Sequence, residues 1–394
     1  MVDDQAMSYF RYAFLIFIMA LAVLSTDSAL SEEKKDSYSY QPLTNSGKKW
    51  RIAYYQGGSS NAYYPYLAAT VKGLVNIGWI RALDLPENKD QDTYMLWNWL
   101  SQHINSNYVD FVNDAYYTAN WDSETRAKIK RVLINRLNTK KDIDLVIAMG
   151  TWAGKDLAND EHKTPTMVMS STDPLRAGIV KSNEDSGYDH VFARVAPRRY
   201  ERQVRIFHDV IRFKKLGIAY ENSNLGKTYA AIDLIEAVAK EKQFEVIRCF
   251  TKDDIPDQEQ AGASVIKCFE ELAPQVDALY IVIQNGVNDK TLPKLVSIAN
   301  KYRVPTFSQQ GSEEVSKGVL MSISREGGFG PVGRFLAISM AKIFNGAKPR
   351  QINQVFEEGP TIAINLKTAE IIGLYLSADI LAAADEIYRE IANP

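Results

Sequence analysis

From Arg51 onward, short apolar runs alternate with longer stretches whose apolar residues recur at helical spacing. Arg51–Gln56, Tyr108–Val112, Ile143–Met149, Thr166–Met169, Val191–Val195, Leu216–Tyr220, Phe244–Phe250, Gly318–Ser324 and Thr361–Ile364 predict strands. Between them, helices are predicted from Pro65 to Ile77, over Glu124–Leu137, from Pro197 to Arg212, from Lys227, and through Cys268. Pro331–Phe344 predicts a long amphipathic helix closed by Asn345-Gly346, and Ser377–Ile391 a last one. Strict alternation of strand and helix implies an α/β chain with parallel sheets and right-handed crossovers.

One unit occurs twice. Asp142–Pro174 runs through an apolar strand, a small-residue loop at Gly150-Thr151, a short helix and a second strand. It breaks into Ser170-Ser171-Thr172-Asp173-Pro174. Val276–Gln310 repeats the pattern, with Gln284-Asn285-Gly286 and Ser308-Gln309-Gln310 at its strand ends. Two such units suggest two lobes. In open parallel sheets ligands bind outside the carboxyl ends of the strands, so these polar loops should face one cleft. Gly57-Gly58-Ser59-Ser60-Asn61 leaves the first strand at a helix start, where free N–H groups suit a carboxylate. An ordinary βα turn is the alternative there. Aromatics crowd Asp90–Trp121, where Trp97, Leu100 and Ile104 lie at helical spacing. Core packing is the default for them, an aromatic-lined pocket the alternative.

The N-terminus carries twelve apolar residues, Ala13–Leu24, after Arg11. A membrane span needs about 20, so the run fits a signal-peptide core, with Ala29-Leu30-Ser31 before the cleavage point. An uncleaved anchor is the alternative, and Met7 competes with Met1 as the start. The polar stretch that follows is expected to be a tether.

At 394 residues, with 46% hydrophobic and 24% charged residues, the chain has the size and make-up of two globular domains. A net charge of −2 gives no reason to expect nucleic acid. Four scattered histidines and two cysteines offer no metal-site spacing. Cys249 and Cys268 are expected as buried free thiols, with a disulfide the alternative that export would permit.

Gly328-Phe329-Gly330-Pro331-Val332-Gly333 matches a dinucleotide fingerprint in letters, but it comes late and no short βαβ unit follows. Gly226-Lys227-Thr228 would need a glycine where Glu221 stands to make a phosphate loop. No G-x-S-x-G occurs, and no nucleophile–base pair is placed on the strand-end loops. Binding without catalysis, and without cofactor or metal, is the expectation.

Ile147-Ala148-Met149-Gly150-Thr151-Trp152-Ala153-Gly154, then Thr164–Val168, then Thr172-Asp173-Pro174-Leu175-Arg176-Ala177-Gly178-Ile179-Val180 form a specific series. With Leu216–Ser223, Val276–Tyr280 and Ile364–Ala369 they resemble the uncharacterised-type ABC transporter substrate-binding proteins, the TrpX-like group that binds tryptophan and tyrosine. The resemblance covers about Arg51 to Leu374. It implies a periplasmic binding protein type I fold: two Rossmann-like α/β lobes joined by a hinge, with the solute between them. The implied division is a signal peptide over 1–31, a tether over 32–48, lobe I over 49–187 and 312–347, and lobe II over 188–311 and 348–394. Lys181–Tyr188, polar and turn-rich, would be a crossover.

The implied function is an exported, periplasmic receptor of an ABC importer that takes a small polar or aromatic, amino-acid-like solute. Its partners would be that solute and an inner-membrane ABC permease, with the protein a monomer. A sensor passing closure to a membrane kinase is the alternative, and a two-lobed enzyme a further one. The expected site is Ser59, Ser60, Asn61, Thr151, Trp152, Thr172, Asp173, Asn222, Ser223, Gln284, Asn285 and Gln309. Gln284-Asn285 stands where the family often has Asp-Asn, which removes an acidic partner for a ligand ammonium. Thr151-Trp152 brings an indole to the cleft.

Overall fold

The structure is a computed structural model and describes residues 38–86, 92–324, 328–356 and 361–392. The expected signal peptide lies outside the described residues, as does the first part of the expected tether.

Lobe I begins with β1 (Trp50–Gln56), α1 (Tyr63–Asn76), α2 (Thr93–His103), β2 (Val109–Thr118) and α3 (Ser123–Thr139). It continues through β3 (Leu145–Met149), α4 (Gly150–Leu157), β4 (Thr166–Met169) and β5 (Val191–Ala193). The five strands form one parallel sheet in the order β2-β1-β3-β4-β5. Every residue of β3 and β4 is buried, as an apolar run covered on both faces requires. Local signals set the helix starts. Asp122 accepts from the Thr125 N–H at 2.7 Å, and Pro65 lies in the first turn of α1, where its missing N–H costs nothing.

Lobe II follows with α5 (Arg199–Ile211), β6 (Lys215–Glu221), α6 (Asn224–Tyr229), α7 (Ile232–Lys242) and β7 (Glu245–Thr251). Then come α8 (Gln258–Leu272), β8 (Ala278–Ile281), α9 (Leu292–Lys301), β9 (Thr306–Ser308), α10 (Ser312–Ser316) and β10 (Met321–Ser324). The chain returns to lobe I for α11 (Gly330–Phe344). It ends in lobe II with β11 (Thr361–Asn365), α12 (Leu366–Ile372), α13 (Ala378–Ala382) and β12 (Glu386–Tyr388). The second sheet has the order β12-β11-β10-β9-β8-β6-β7, parallel except for β10 against β11.

Several expectations are corrected. The Lys181–Tyr188 loop is not a crossover. Its polarity is that of a surface loop of lobe I, held by an Arg350–Asp185 ion pair at 2.7 Å and by Gln354 Nε2 donating to the Ser182 and Asn183 carbonyls. The chain crosses later, after β5, where Val195 pairs in parallel with Val355 of the returning crossover. Sheet membership therefore puts 191–193 in lobe I and 312–324 in lobe II, unlike the expected division. Ile352 packs into the lobe I core.

Residues 38–48 are not free tether. Trp79 Nε1 donates to the Tyr40 carbonyl at 2.8 Å and Trp50 Nε1 to the Leu43 carbonyl at 2.9 Å. The helix expected from Lys227 is two helices, with Ala231 between them in the left-handed region at φ 51°. The helix expected over Ser377–Ile391 stops at Ala382. Glu386–Tyr388 instead pair with Ala363–Asn365, because β11 would otherwise leave an open edge. Cys249 on β7 and Cys268 on α8 are joined in a disulfide with Cα atoms 5.5 Å apart, so neither is a free thiol.

His162 and His190 lie buried at the base of lobe I with ring centres 4.7 Å apart. Burial depresses His162 to about 4, helped by the neighbouring His190. The unfolded chain therefore binds a proton near pH 6.5 that the folded chain refuses until about pH 4, so stability falls as pH drops through that window. At pH 5 the loss from His162 is expected to be about 2 kcal/mol. Melting curves at pH 7 and 5 for the parent and His162→Gln check this. The variant should lose less on acidification, and equal losses would contradict it.

Candidate functional site

The carboxyl ends of both sheets face each other and enclose a cavity of about 60 Å³. Lobe I supplies Ser60 after β1, Tyr63 and Tyr66 on α1, Trp121 after β2, Thr151 on α4, Ser170–Thr172 after β4 and Arg194 after β5. Lobe II supplies Arg199 and Tyr200 from the first turn of α5, Tyr229 from α6 and Asp253-Asp254 after β7. Ile283–Asn285 after β8, Gln310 after β9 and Phe329 on the crossover into α11 complete the wall.

The polar groups differ in how far the protein already satisfies them. Thr151 and Ser171 share a hydroxyl contact at 3.1 Å. Gln284 is fully engaged, accepting from Thr251 at 2.7 Å and donating to the Ala219 carbonyl at 2.8 Å. Arg194 is only 6% exposed, and among the described residues it forms no ion pair and its buried Nε has no hydrogen-bond partner. Asp254 accepts through Oδ2 from Trp152 Nε1 at 2.7 Å and the Tyr229 hydroxyl at 2.9 Å, while its Oδ1 is buried with no partner. Asp253 accepts the Asn285 N–H at 2.6 Å. Burial raises both carboxyls, Asp253 well above the carboxylate range and Asp254 to about 6. Ser170 holds a left-handed conformation at φ 57°, the kind of backbone strain that collects at ligand sites.

Trp152 does not line the cavity. It stands behind it, edge-on to Trp121 and beneath the Arg126 guanidinium at 4.4 Å, and reaches across to Asp254 of the other lobe. Arg126 is fixed in turn by Asp156, which also accepts from Tyr55. Arg176 and Asp233 form a second interlobe contact.

Of the residues expected from sequence, Ser60, Thr151, Thr172, Gln284 and Asn285 come together on the cavity wall. Asp173 instead caps the turn it begins, accepting the Arg176 N–H at 3.0 Å. Ser223 caps α6 through the Gly226 N–H at 2.9 Å, and Asn222 is exposed. Gln309 is fully buried and braces the floor, accepting from the Ile283 N–H and donating to the Tyr229 carbonyl. Ser59 presents only its carbonyl, to Trp121 Nε1, and Asn61 lines a separate small pocket with Asn288. The charged and aromatic wall was missed: Arg194, Arg199, Asp253, Asp254, Tyr63, Tyr66, Tyr200, Tyr229 and Phe329. The strand-end rule applied to β5 and β7 would have found Arg194 and the acid pair.

Two α/β lobes with a cavity between the carboxyl ends of their sheets have the type I architecture of periplasmic binding proteins. The family model "ABC transporter substrate binding protein" matches residues 105–388, and the chain belongs to that family. A curated relative, the "Tyrosine-binding protein" of Clostridioides difficile (strain R20291), is 25% identical over 179 residues. That match covers 45% of this chain and 48% of the relative, so it spans about half of each. A conserved domain protein from Vibrio cholerae has the same fold at TM-score 0.65 and 19% identity, covering 86% of this chain and all of that one. An ABC domain from Streptococcus pneumonia in complex with L-Trp matches at TM-score 0.64 and 20% identity, over 86% of this chain and all of that one.

Proposed function

We propose that this protein is an exported receptor that captures an aromatic α-amino acid between its lobes for delivery to an ABC importer in the membrane. One observation carries the reading: a single cavity holds a buried cation, Arg194, and a carboxylate oxygen, Asp254 Oδ1, neither of which finds a partner among the described residues. A zwitterion satisfies both. Its carboxylate takes Arg194 and the hydroxyls of Ser60, Thr151 and Thr172, and its ammonium takes the acid pair. The acidic partner that Gln284 does not provide comes from the loop after β7. Tyr63, Tyr66, Tyr200 and Phe329 supply rings for an aromatic side chain. The tyrosine-binding relative and the tryptophan-bound neighbour agree with this choice of solute. The disulfide and the apolar run at 13–24 support export into an oxidising compartment.

A thermal-shift screen over L-amino acids, sugars and nucleosides tests the proposal. Free solute at about 100 times Kd adds roughly 2.7 kcal/mol to the folded state. L-tryptophan or L-tyrosine should raise the melting temperature. A shift from a sugar or nucleoside, with none from any amino acid, would overturn the reading.

A further inference from the structure

Asp253 and Asp254 are adjacent and both belong to the cavity wall, yet no lysine or arginine among the described residues forms an ion pair with either. Arg194 and Arg199 share the cavity wall without forming an ion pair with either acid, and the groups nearer to the pair do little to neutralise two charges. Tyr63 of α1 and Tyr229 of α6 are neutral phenols, and Glu221 of β6 adds a further negative charge. Arg126 of α3 lies nearest, but both its Nε and Nη2 are committed to Asp156 at 2.8 and 2.9 Å. Trp152 and the Asn285 N–H donate single hydrogen bonds without charge. Two buried carboxylates in such a place cannot both ionise.

We propose that the empty cleft keeps one proton on the Asp253–Asp254 pair and that an incoming ammonium displaces it, so that solute capture releases a proton. The inference rests on the amino-acid reading of the cleft. The step balances: the carboxyl O–H bond breaks, its electron pair stays on the carboxylate, and the proton passes to bulk water. An N–H···O bond from the ammonium takes its place. Both raised carboxyls agree with the arrangement. Below about pH 6 a second proton, on Asp254, also competes with the solute, and Kd rises further by up to about tenfold per pH unit.

Two measurements separate this inference from the reading beneath it. The first uses solute-free protein. Tryptophan fluorescence between pH 4.5 and 8 should show a transition near pH 6, because Trp152 Nε1 contacts Asp254 directly. The transition should vanish in Asp254→Asn and stay near pH 6 in Asp253→Asn, because Asp253 already holds the pair's proton in this range. Both variants mimic the protonated carboxyl and keep its shape. A parent protein with no transition in this range overturns the shared proton, whatever the solute.

The second is calorimetric titration with L-tryptophan at pH 6.5 in two buffers of different protonation enthalpy. Release of a fraction of a proton, lost in Asp253→Asn, supports the coupling. Binding heat that is identical in both buffers overturns it. If no L-amino acid binds at any pH, the amino-acid reading falls and the coupling with it, while a titration transition still stands on its own.

Discussion

Arg194→Met should weaken binding of the amino-acid solute by roughly 30- to several-thousand-fold, the equivalent of about 2–5 kcal/mol for truncating one partner of a buried charge pair. The same change should leave the melting temperature of the solute-free protein unchanged or raise it. Arg194 is 6% exposed and has no carboxylate partner among the described residues, so the solute-free protein bears the cost of an uncompensated buried charge. Methionine fills a similar length with a flexible apolar chain and removes that cost. Opposite signs for affinity and stability separate a ligand-binding arginine from one that supports the fold. Calorimetric titration and melting of the same sample read both. Unchanged affinity with a lower melting temperature would show that Arg194 is structural.

Gly333→Val should destabilise lobe I by about 3 kcal/mol or more, the upper range for forcing atoms into a close-packed core. In α11, a Cβ at Gly333 would run into the backbone of Ala69 on α1, and a Cβ at Gly73 of α1 would meet the Gly333 carbonyl at 2.6 Å. Backbone on both sides leaves no flexible side chain to swing away. The helices would have to separate, and α11 carries Val332, Leu336, Ala337 and Met340 into the lobe I core. Gly330 is the contrast: no other part of the described residues comes within 4 Å of its would-be Cβ, so Gly330→Ala should be close to neutral. In a dinucleotide fingerprint the three glycines serve a tight turn, close backbone approach to the pyrophosphate and packing of the helix on the sheet. In this chain, the one that matters holds two helices together. Melting curves of the two variants decide it, and a Gly333→Val protein that melts with the parent would refute the helix-contact role.

Most strands of lobe I were legible as short apolar runs bounded by polar or small residues, but β2 runs on past the expected Tyr108–Val112 through Asn113-Asp114 to Thr118. Thr166–Met169 appears at the expected bounds, and Arg51–Gln56 lengthens by one residue. Helix starts were readable where a cap was present, as at Asp122. The candidate site was half legible. Thr151, Thr172, Gln284 and Asn285 follow strands of the twin units, so the repeat pointed to them, and Ser60 was marked by the Gly/Ser loop that leaves the first strand. Ser223, Asp173 and Gln309 misled because capping, turn formation and bracing use the same polar side chains as ligand binding. A sequence lists donors and acceptors without saying which are already used.

What the chain determined by itself is therefore the order of its elements, the parallel α/β class and the edge of the sheets on which the loops gather. These follow from local periodicity and from the handedness of crossovers, both of which act over tens of residues. Tertiary structure alone decided three things. The chain changes lobe after Ala193, because Val195 finds its pairing partner at Val355. The last segment becomes the strand Glu386–Tyr388, because β11 offers an open edge. Arg194 and the Asp253–Asp254 pair, 59 residues apart at their nearest members, meet around one cavity, and no ion pair among the described residues joins them to an opposite charge. Each depends on which distant backbone or charge lies within a few ångströms, and local pattern carries no record of that distance.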